Sequence, residues 1–103
     1  MRVVFHPAFP KDVRKLLDDY ALVSPGLASR FRAELDAAIA AIKASPHGAG
    51  HFLNVETPPA TEVRRKNLRV FPFFILYGII EDRLIIASVI PSRSDPLTWL
   101  ARF

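Results

Sequence analysis

Four cationic side chains lie within six residues, Arg64 to Arg69, and a mostly apolar run follows them as far as Ile80. Guanidinium and ammonium groups bind phosphate and carboxylate, and the planar guanidinium of Arg binds them in a bidentate way. Three interpretations compete: a membrane anchor with a basic flank, a strand with a phosphate-facing rim, and a sheet whose second face awaits a partner. A solvated basic surface is the interpretation that needs no ligand. The basic run consists of Arg64, Arg65, Lys66 and Arg69.

The charge is uneven along the chain. The net charge is +4, of which residues 1–60 carry +1 (seven cations, six acids) and residues 61–103 carry +3 (seven cations, four acids). We therefore expect an anionic partner to meet the second half. The chain has no cysteine, which excludes disulfides, thiolate metal sites and a thiolate nucleophile. This composition suits a reducing cytoplasm, the compartment that we expect.

His47 and His51 are four residues apart, a spacing that suits two metal ligands on a helix. They lie in the stretch 47–60, however, which is rich in Gly and Pro and is predicted to form a loop. Because no Cys and no acidic cluster accompanies them, we interpret the pair as two loop histidines. We expect no metal site and no cofactor.

The membrane interpretation fails on length. Val70 to Ile80 is eleven residues and includes Pro72, whereas a spanning helix needs roughly 20 residues. The apolar run near the N-terminus is short, is broken by His6 and Pro7, and precedes no small-residue cleavage site, so no signal peptide is predicted. We expect a single domain over residues 1–103 and no contact with a membrane.

Two helices are predicted to support the sheet. The first begins near Pro10 and ends near Ala21, with apolar side chains at helical spacing. The second is bounded by Ser24 as its cap, Pro25 in its first turn and Pro46 after its end. Alternating apolar residues predict strands at 2–6, 62–69, 71–80 and 83–90, and Pro96 predicts a short helix at 95–102.

The order β-α-α-β-β-β with a short C-terminal helix predicts an α+β fold, in which a helical hairpin packs on one face of a mainly antiparallel four-stranded sheet. The strand at 71–80 is apolar on both faces, with Phe73 and Ile75 on one side and Phe74 and Leu76 on the other. Because the hairpin covers one face, we predict a half-covered sheet with a basic rim, whose second face binds a partner. The alternative is that the long loop and the C-terminal segment fold over that face, either wholly or in part.

The chain resembles the RelE/ParE superfamily of type II toxins, and more closely its ParE (plasmid-stabilisation) branch, over nearly its whole length. The resemblance rests on HPAFPKDVRKLLDDYALVSPGLASRFRAEL, on the long helix ending at Ile42 with KASP after it, and on LRVFPFFILYGI and VIPSRSDPLTW. The order of these motifs is the specific feature: Phe-Pro and an aromatic residue come first, a Tyr follows, and Asp-Pro and a Trp come late in the chain.

The resemblance implies a cognate antitoxin, with an acidic toxin-binding segment and often a DNA-binding domain. It also implies one of two activities: ParE-like binding and inhibition of DNA gyrase, or RelE-like ribosome-dependent cleavage of messenger RNA. A member that has lost its toxicity and only binds antitoxin is the third hypothesis. The candidate antitoxin-binding residues are Arg64, Arg65, Lys66, Arg69, Phe73 and Phe74.

Metal-free RNA cleavage needs a group that activates the 2′-hydroxyl, cations that stabilise the phosphorane-like charge, and an acid for the leaving oxygen. Under the RelE-like hypothesis the chain offers Arg65, Arg69 and Arg93 as cations, and Tyr77 or Glu62 for proton transfer. Tyr77 lies on an apolar strand face, where a tyrosine is more often a core residue with a bonded hydroxyl.

The C-terminal segment departs from the common family ending, which has His, one residue and two basic residues before Asp-Pro or Asn-Pro. Here those positions are Pro91, Ser92, Arg93 and Ser94. Because the His and the second basic residue are missing, we predict no catalytic residues and an action on DNA gyrase. Candidates for the target surface are Arg93, Trp99 and Arg102, because Arg and aromatic residues dominate interface energetics.

Overall fold

Across residues 1–55, 60 and 62–103, which the computed structural model describes, two helices and a five-stranded sheet form the fold. The elements in chain order are β1 (Arg2–Phe5), α1 (Phe9–Val23), α2 (Pro25–Ala44), β2 (His51–Leu53), β3 (Glu62–Asn67), β4 (Phe73–Ile80), β5 (Arg83–Pro91) and a 3₁₀ helix (Pro96–Arg102). The strands lie in the order β1-β5-β4-β3-β2. Strand β1 runs parallel to β5, and the other neighbouring pairs are antiparallel.

The predicted α+β class and the order of the main elements are confirmed, but the predicted four-stranded sheet is wrong. Strand β2 lies inside the stretch 47–60 that was predicted as a loop, and it pairs with β3 to make a mixed five-stranded sheet. Gly50 allows this pairing, because a Cβ at that position would lie 2.3 Å from the carbonyl oxygen of Arg65. Residues 56–59 of the predicted loop lie outside the described residues.

Ser24 alone joins the two helices. Its backbone N–H donates to the carbonyl of Tyr20 at the end of α1, and its hydroxyl accepts from the N–H of Leu27 at the start of α2. The predicted cap is therefore confirmed, and an extended Ser24 followed by Pro25 turns the chain back as a hairpin.

Within the described part of the chain, no helix is both long and apolar enough to cross a membrane.

An aromatic cluster fixes the hairpin to the sheet. The rings of Tyr20, Phe31, Phe71 and Phe73 lie 5.1 to 6.4 Å apart in tilted and edge-on contacts. These distances are typical of favourable aromatic pairs. Phe31 is completely buried at the centre, so this face of the sheet has the helical layer that the sequence predicts.

The second face of the sheet is also covered, so the predicted half-covered sheet is wrong and the alternative is confirmed. Trp99, Leu100 and Phe103 from the C-terminal segment pack against this face, together with Leu53, Val55 and Ala60 from the segment around β2. Beneath them lie the buried side chains of Val63, Phe74, Leu76 and Ile90. Gly78 makes room for Phe103, because a Cβ on Gly78 would lie 2.7 Å from the ring.

A β-bulge interrupts the alternation of side chains in β5. Leu76 pairs with Ser88 whereas Tyr77 pairs with Ile86, so Ala87 is the extra residue. After the bulge, Val89 instead of Ser88 joins the helical side of the core. Ser88 is buried with Leu76 as its cross-strand neighbour.

Glu34 of α2 holds the turn between β3 and β4. One carboxylate oxygen accepts the backbone N–H groups of Arg69 and Val70 at 2.5 and 2.8 Å, and the other accepts that of Phe71 at 3.4 Å. Hydrogen bonds to an ionised acceptor are stronger than those between neutral groups. This one side chain therefore connects the helical layer to the entry of β4.

We expect Glu34→Ala to lower the free energy of unfolding by about 1–3 kcal/mol, because three backbone donors lose their acceptor. Urea denaturation monitored by circular dichroism measures the change. Asp36→Ala is the matched control on the same helix, since Asp36 forms an exposed ion pair with Arg32, and its cost should stay below about 0.5 kcal/mol. Equal costs for the two variants would contradict the role assigned to Glu34.

Candidate functional site

The basic run divides between the two faces of β3. Arg64 is the cross-strand neighbour of Tyr77, and Lys66 lines a depression beside α2, so both lie on the helical side. Arg65 lies on the opposite side, above the ring of Phe74. The predicted rim is therefore not one continuous cationic surface.

A polar cluster forms where α2 ends and β3 begins. One Arg64 nitrogen donates to Glu62 at 3.1 Å, and another donates to the carbonyl of Gly50 at 2.5 Å. The second oxygen of Glu62 lies 3.1 Å from Nδ1 of His47. The Arg64 side chain is only 14% exposed, and its positive charge is paired with the carboxylate of Glu62 inside the protein.

Tyr77 belongs to the core and not to an open site. It is completely buried, and its hydroxyl donates to the carbonyl of Pro46 at 3.0 Å. Burial raises the pKa of the Tyr77 hydroxyl above its usual value, and the nearby Arg64 guanidinium opposes this shift. At neutral pH this hydroxyl is protonated and already bonded, so the geometry does not favour a role in proton transfer.

The guanidinium of Arg65 lies over the buried apolar cluster on the second face of the sheet. The guanidinium carbon lies 3.7 Å from the centroid of the Phe74 ring, and Nε donates to the side chain of Asn67 at 3.1 Å. A cation over an aromatic ring contributes about 0.5–1 kcal/mol at an exposed site. Phe74 itself has no exposed surface, so a partner would meet Arg65 there and not the ring.

Lys66 and Arg69 differ from Arg64 and Arg65 in having free charged groups. Among residues 1–55, 60 and 62–103, neither side chain forms an ion pair. Arg69 is exposed in the β3–β4 turn, and Phe73 nearby is half-buried within the aromatic cluster. Of the predicted antitoxin-binding residues, these two cations are the ones whose charges the rest of the described chain leaves available.

Arg102 connects three parts of the fold. Its Nη1 lies 2.6 Å from Asp12 in α1, 2.9 Å from the carbonyl of Ala87 at the bulge, and 3.2 Å from the hydroxyl of Ser88. Strand β1 pairs with β5 only as far as Ile86, so Arg102 supplies a donor to the β5 edge just beyond the end of β1. The contact also holds the C-terminal segment on the second face.

The other two candidates of the C-terminal segment are more accessible. Arg93 is exposed in the turn that follows β5, and Trp99 is half-buried at the sheet edge beside Pro91. The structure thus places Arg93 and Trp99 on the surface and Arg102 in a structural contact.

The residues proposed for RNA cleavage do not come together in one site. Arg65 and Tyr77 lie on opposite faces of the sheet, and Arg93 follows the far end of β5. The acid–base contact that does form joins His47 to Glu62, and His47 was interpreted from the sequence as a simple loop residue. The two residues are 15 positions apart, and no local pattern indicates their contact.

Comparison with known proteins identifies the fold. No family model matches the sequence, and no curated protein matches it either. The structure is similar to a chain of the chromosomal ParDE TA system from P. aeruginosa, with a TM-score of 0.72 and 18% sequence identity, covering 88% of this chain and 95% of that chain. At this identity the similarity demonstrates a shared fold, in agreement with the predicted α+β class.

We expect the contact between Arg102 and Asp12 to stabilise the fold measurably. A double-mutant cycle with Arg102→Ala and Asp12→Ala should give a coupling energy of about 1–3 kcal/mol, because the pair is only 20% and 30% exposed. The exposed pair Lys15–Asp19 is the control, with an expected coupling below about 0.5 kcal/mol. A coupling for Arg102 no larger than that of the control would contradict the structural role.

Tyrosine burial predicts a loss of stability at high pH. Burial raises the pKa values of Tyr20 and Tyr77 in the folded state, so above about pH 10 the unfolded chain loses its phenolic protons first and unfolding becomes easier. Tyr77→Phe should reduce the slope of stability against pH between pH 10 and 11. It should also cost about 0.5–1.5 kcal/mol at pH 7, since the bond to Pro46 is lost. Urea titrations of both proteins at pH 7, 10 and 11 test this, and an unchanged slope would contradict it.

Proposed function

We propose that this chain is the toxin of a type II toxin–antitoxin system and that it acts as ParE does, by binding and inhibiting DNA gyrase. The observation that carries the proposal is the fold shared with a chain of the ParDE TA system, over nearly the whole of both chains. The cognate antitoxin is the partner that neutralises it, and the cytoplasm is the compartment in which both act. The whole chain, residues 1–103, forms the toxin domain.

The positions of the charged residues support a binding role over a nuclease role. Arg65, Tyr77 and Arg93 have no common surface, and Tyr77 has no solvent access. General acid–base catalysis requires its groups to lie within hydrogen-bond reach of one substrate. Pro91 and Ser94 also occupy the late positions at which the family ending has a His and a second basic residue.

One contact favours the RelE-like endonuclease as the second candidate. His47 lies 3.1 Å from Glu62, and the imidazole is 65% exposed, so it could meet a ribose hydroxyl. Arg64 beside them supplies a cation, although two of its three guanidinium nitrogens already donate to Glu62 and to the carbonyl of Gly50. A cleavage activity at this cluster would depend on His47 and would be independent of Tyr77.

The gyrase-binding surface of the proposal is the turn after β5 together with Trp99. Arg93 offers an exposed guanidinium, and Trp99, six residues further along the chain, offers a half-buried indole. Aromatic and Arg residues of this kind carry much of the energy at protein interfaces. Arg102 is better placed as the support of this segment than as a contact with the target.

We expect the purified protein to inhibit DNA supercoiling by gyrase and to leave messenger RNA intact, with or without ribosomes. Arg93→Ala and Trp99→Ala should each weaken the inhibition about tenfold, because truncation of an interface anchor typically costs more than 1 kcal/mol. Supercoiling assays and primer extension on ribosome-bound messenger RNA measure the two activities. His47→Ala is the matched variant for the second candidate, and His51→Ala is its control.

The outcomes separate the hypotheses. Inhibition of gyrase that is unaffected by His47→Ala supports the ParE-like proposal. Ribosome-dependent cleavage that is lost in His47→Ala, retained in His51→Ala and accompanied by unaffected gyrase would replace it with the endonuclease. If neither activity is found but the antitoxin binds, the protein is the non-toxic member of the family.

A further inference from the structure

A groove runs along the outer side of α2, against the turn that joins β3 to β4. Its larger part has a volume of about 520 Å³ and its smaller part about 160 Å³, and both are lined by Glu34, Ala37 and Arg69. Together the two parts extend from Leu27 to Ala41, about 21 Å at 1.5 Å per residue. The groove is therefore long enough for about four turns of a helix.

The groove has a rigid apolar floor and an exposed apolar edge. Phe71 forms part of the floor and is fixed by edge-on contacts with Tyr20 and Phe31. Val70 is 80% exposed at the rim, and the bonds from Glu34 to the turn hold it there. An apolar side chain on a turn that is itself fixed suits a pre-formed binding surface.

The helix wall of the groove is low. Ala33, Ala37 and Ala41 are four residues apart, so they share one face of α2 and leave its backbone accessible. Small side chains at this spacing let the side chains of a second helix fit between the ridges of the first. The shape of the wall thus favours a helical occupant over an extended one.

The charge of the groove selects an acidic occupant. Its cations are Arg30, Lys66 and Arg69, and its acid is Glu34, whose oxygens already accept three backbone N–H groups. Among the residues that the structure describes, none of these three cations forms an ion pair. Their charges are therefore available to carboxylates of a partner.

A second groove, between α1 and α2 near Phe5, differs in that most of its cations already have partners within the chain. It is of similar size, about 440 Å³, but Arg32 there is paired with Asp36 and the Lys43 ammonium lies 5.6 Å from the Phe5 ring centroid. Two of its cations thus already have partners within the chain. The comparison favours the groove along α2 as the site for an acidic partner.

The geometry points to the α2 groove as the docking site of an acidic amphipathic helix, and we assign this helix to the antitoxin of the proposed function, on which the assignment rests. Apolar side chains of the helix contact Val70, Phe71 and the alanine face of α2. Its carboxylates meet Arg30, Lys66 and Arg69 along the rim. The second face of the sheet, which the C-terminal segment covers, has no part in this contact.

The test measures binding of the purified protein to the product of the small open reading frame adjacent to its gene, by biolayer interferometry at two salt concentrations. Val70→Asp and Arg30→Glu should each weaken the complex at least about tenfold, and Arg30→Glu should also flatten the salt dependence of association. The matched controls are Leu22→Asp, at a site 87% exposed on α1, and Arg14→Glu, in the second groove. Both should change the affinity less than about twofold, and all four substitutions are at exposed positions, so thermal unfolding should be unchanged.

Each outcome is decisive. Selective weakening in Val70→Asp and Arg30→Glu supports the α2 groove. Wild-type binding that all four variants retain, or that only Arg14→Glu loses, overturns the groove and leaves the toxin assignment intact. No binding of the wild-type protein to the adjacent gene product overturns the antitoxin assignment together with the groove.

Discussion

The middle strand β4 needs an apolar layer on each of its faces, because every residue from Phe74 to Ile80 is buried. The helical hairpin provides one layer through its aromatic cluster with Phe31 at the centre. The C-terminal segment provides the other, and Phe103 can approach the strand closely because Gly78 has no side chain. The bond network of Arg102 fixes that segment to α1 and to the bulge in β5. The rest of the fold is arranged around this doubly covered strand.

Because both faces of the sheet are covered, the surface that we propose for a partner lies away from the sheet. The apolar residues that suggested a binding face, above all Phe74 and Leu76, are used by the chain itself. The proposed surface lies on the outer side of α2, where Glu34 fixes the β3–β4 turn and Val70 is exposed to solvent. The same carboxylate therefore stabilises the fold and shapes the groove. Loss of Glu34 should affect both, which is why exposed rim residues are the sharper probes of binding.

The strand pairing also decides which charges are available for function. Along β3 the alternation places Arg64 in a partly buried ion pair with Glu62, and it places Arg65 over the ring of Phe74. Ion pairs and ring contacts of this kind leave little of the charge for a nucleic acid or a protein partner. Lys66 and Arg69 keep theirs, and both border the α2 groove. The arrangement thus agrees better with recognition of an acidic protein than with stabilisation of a cleaved phosphodiester.

Local patterns were sufficient to predict the two helices, the Ser24 cap and the apolar character of β4, because each depends on residues at most a few positions apart. The resemblance of the sequence to the RelE/ParE superfamily likewise predicted the α+β fold. Strand β2, the bulge at Ala87 and the cover on the second face could not be predicted in this way. They depend on Gly50 meeting β3, on the register of β4 with β5, and on Phe103 meeting Gly78. The contacts of Glu34 with the β3–β4 turn and of Arg102 with Asp12 span 35 and 90 positions. Such contacts exist only once the chain has folded, because residues so far apart in the sequence become neighbours through the packing of whole elements and not through any local spacing.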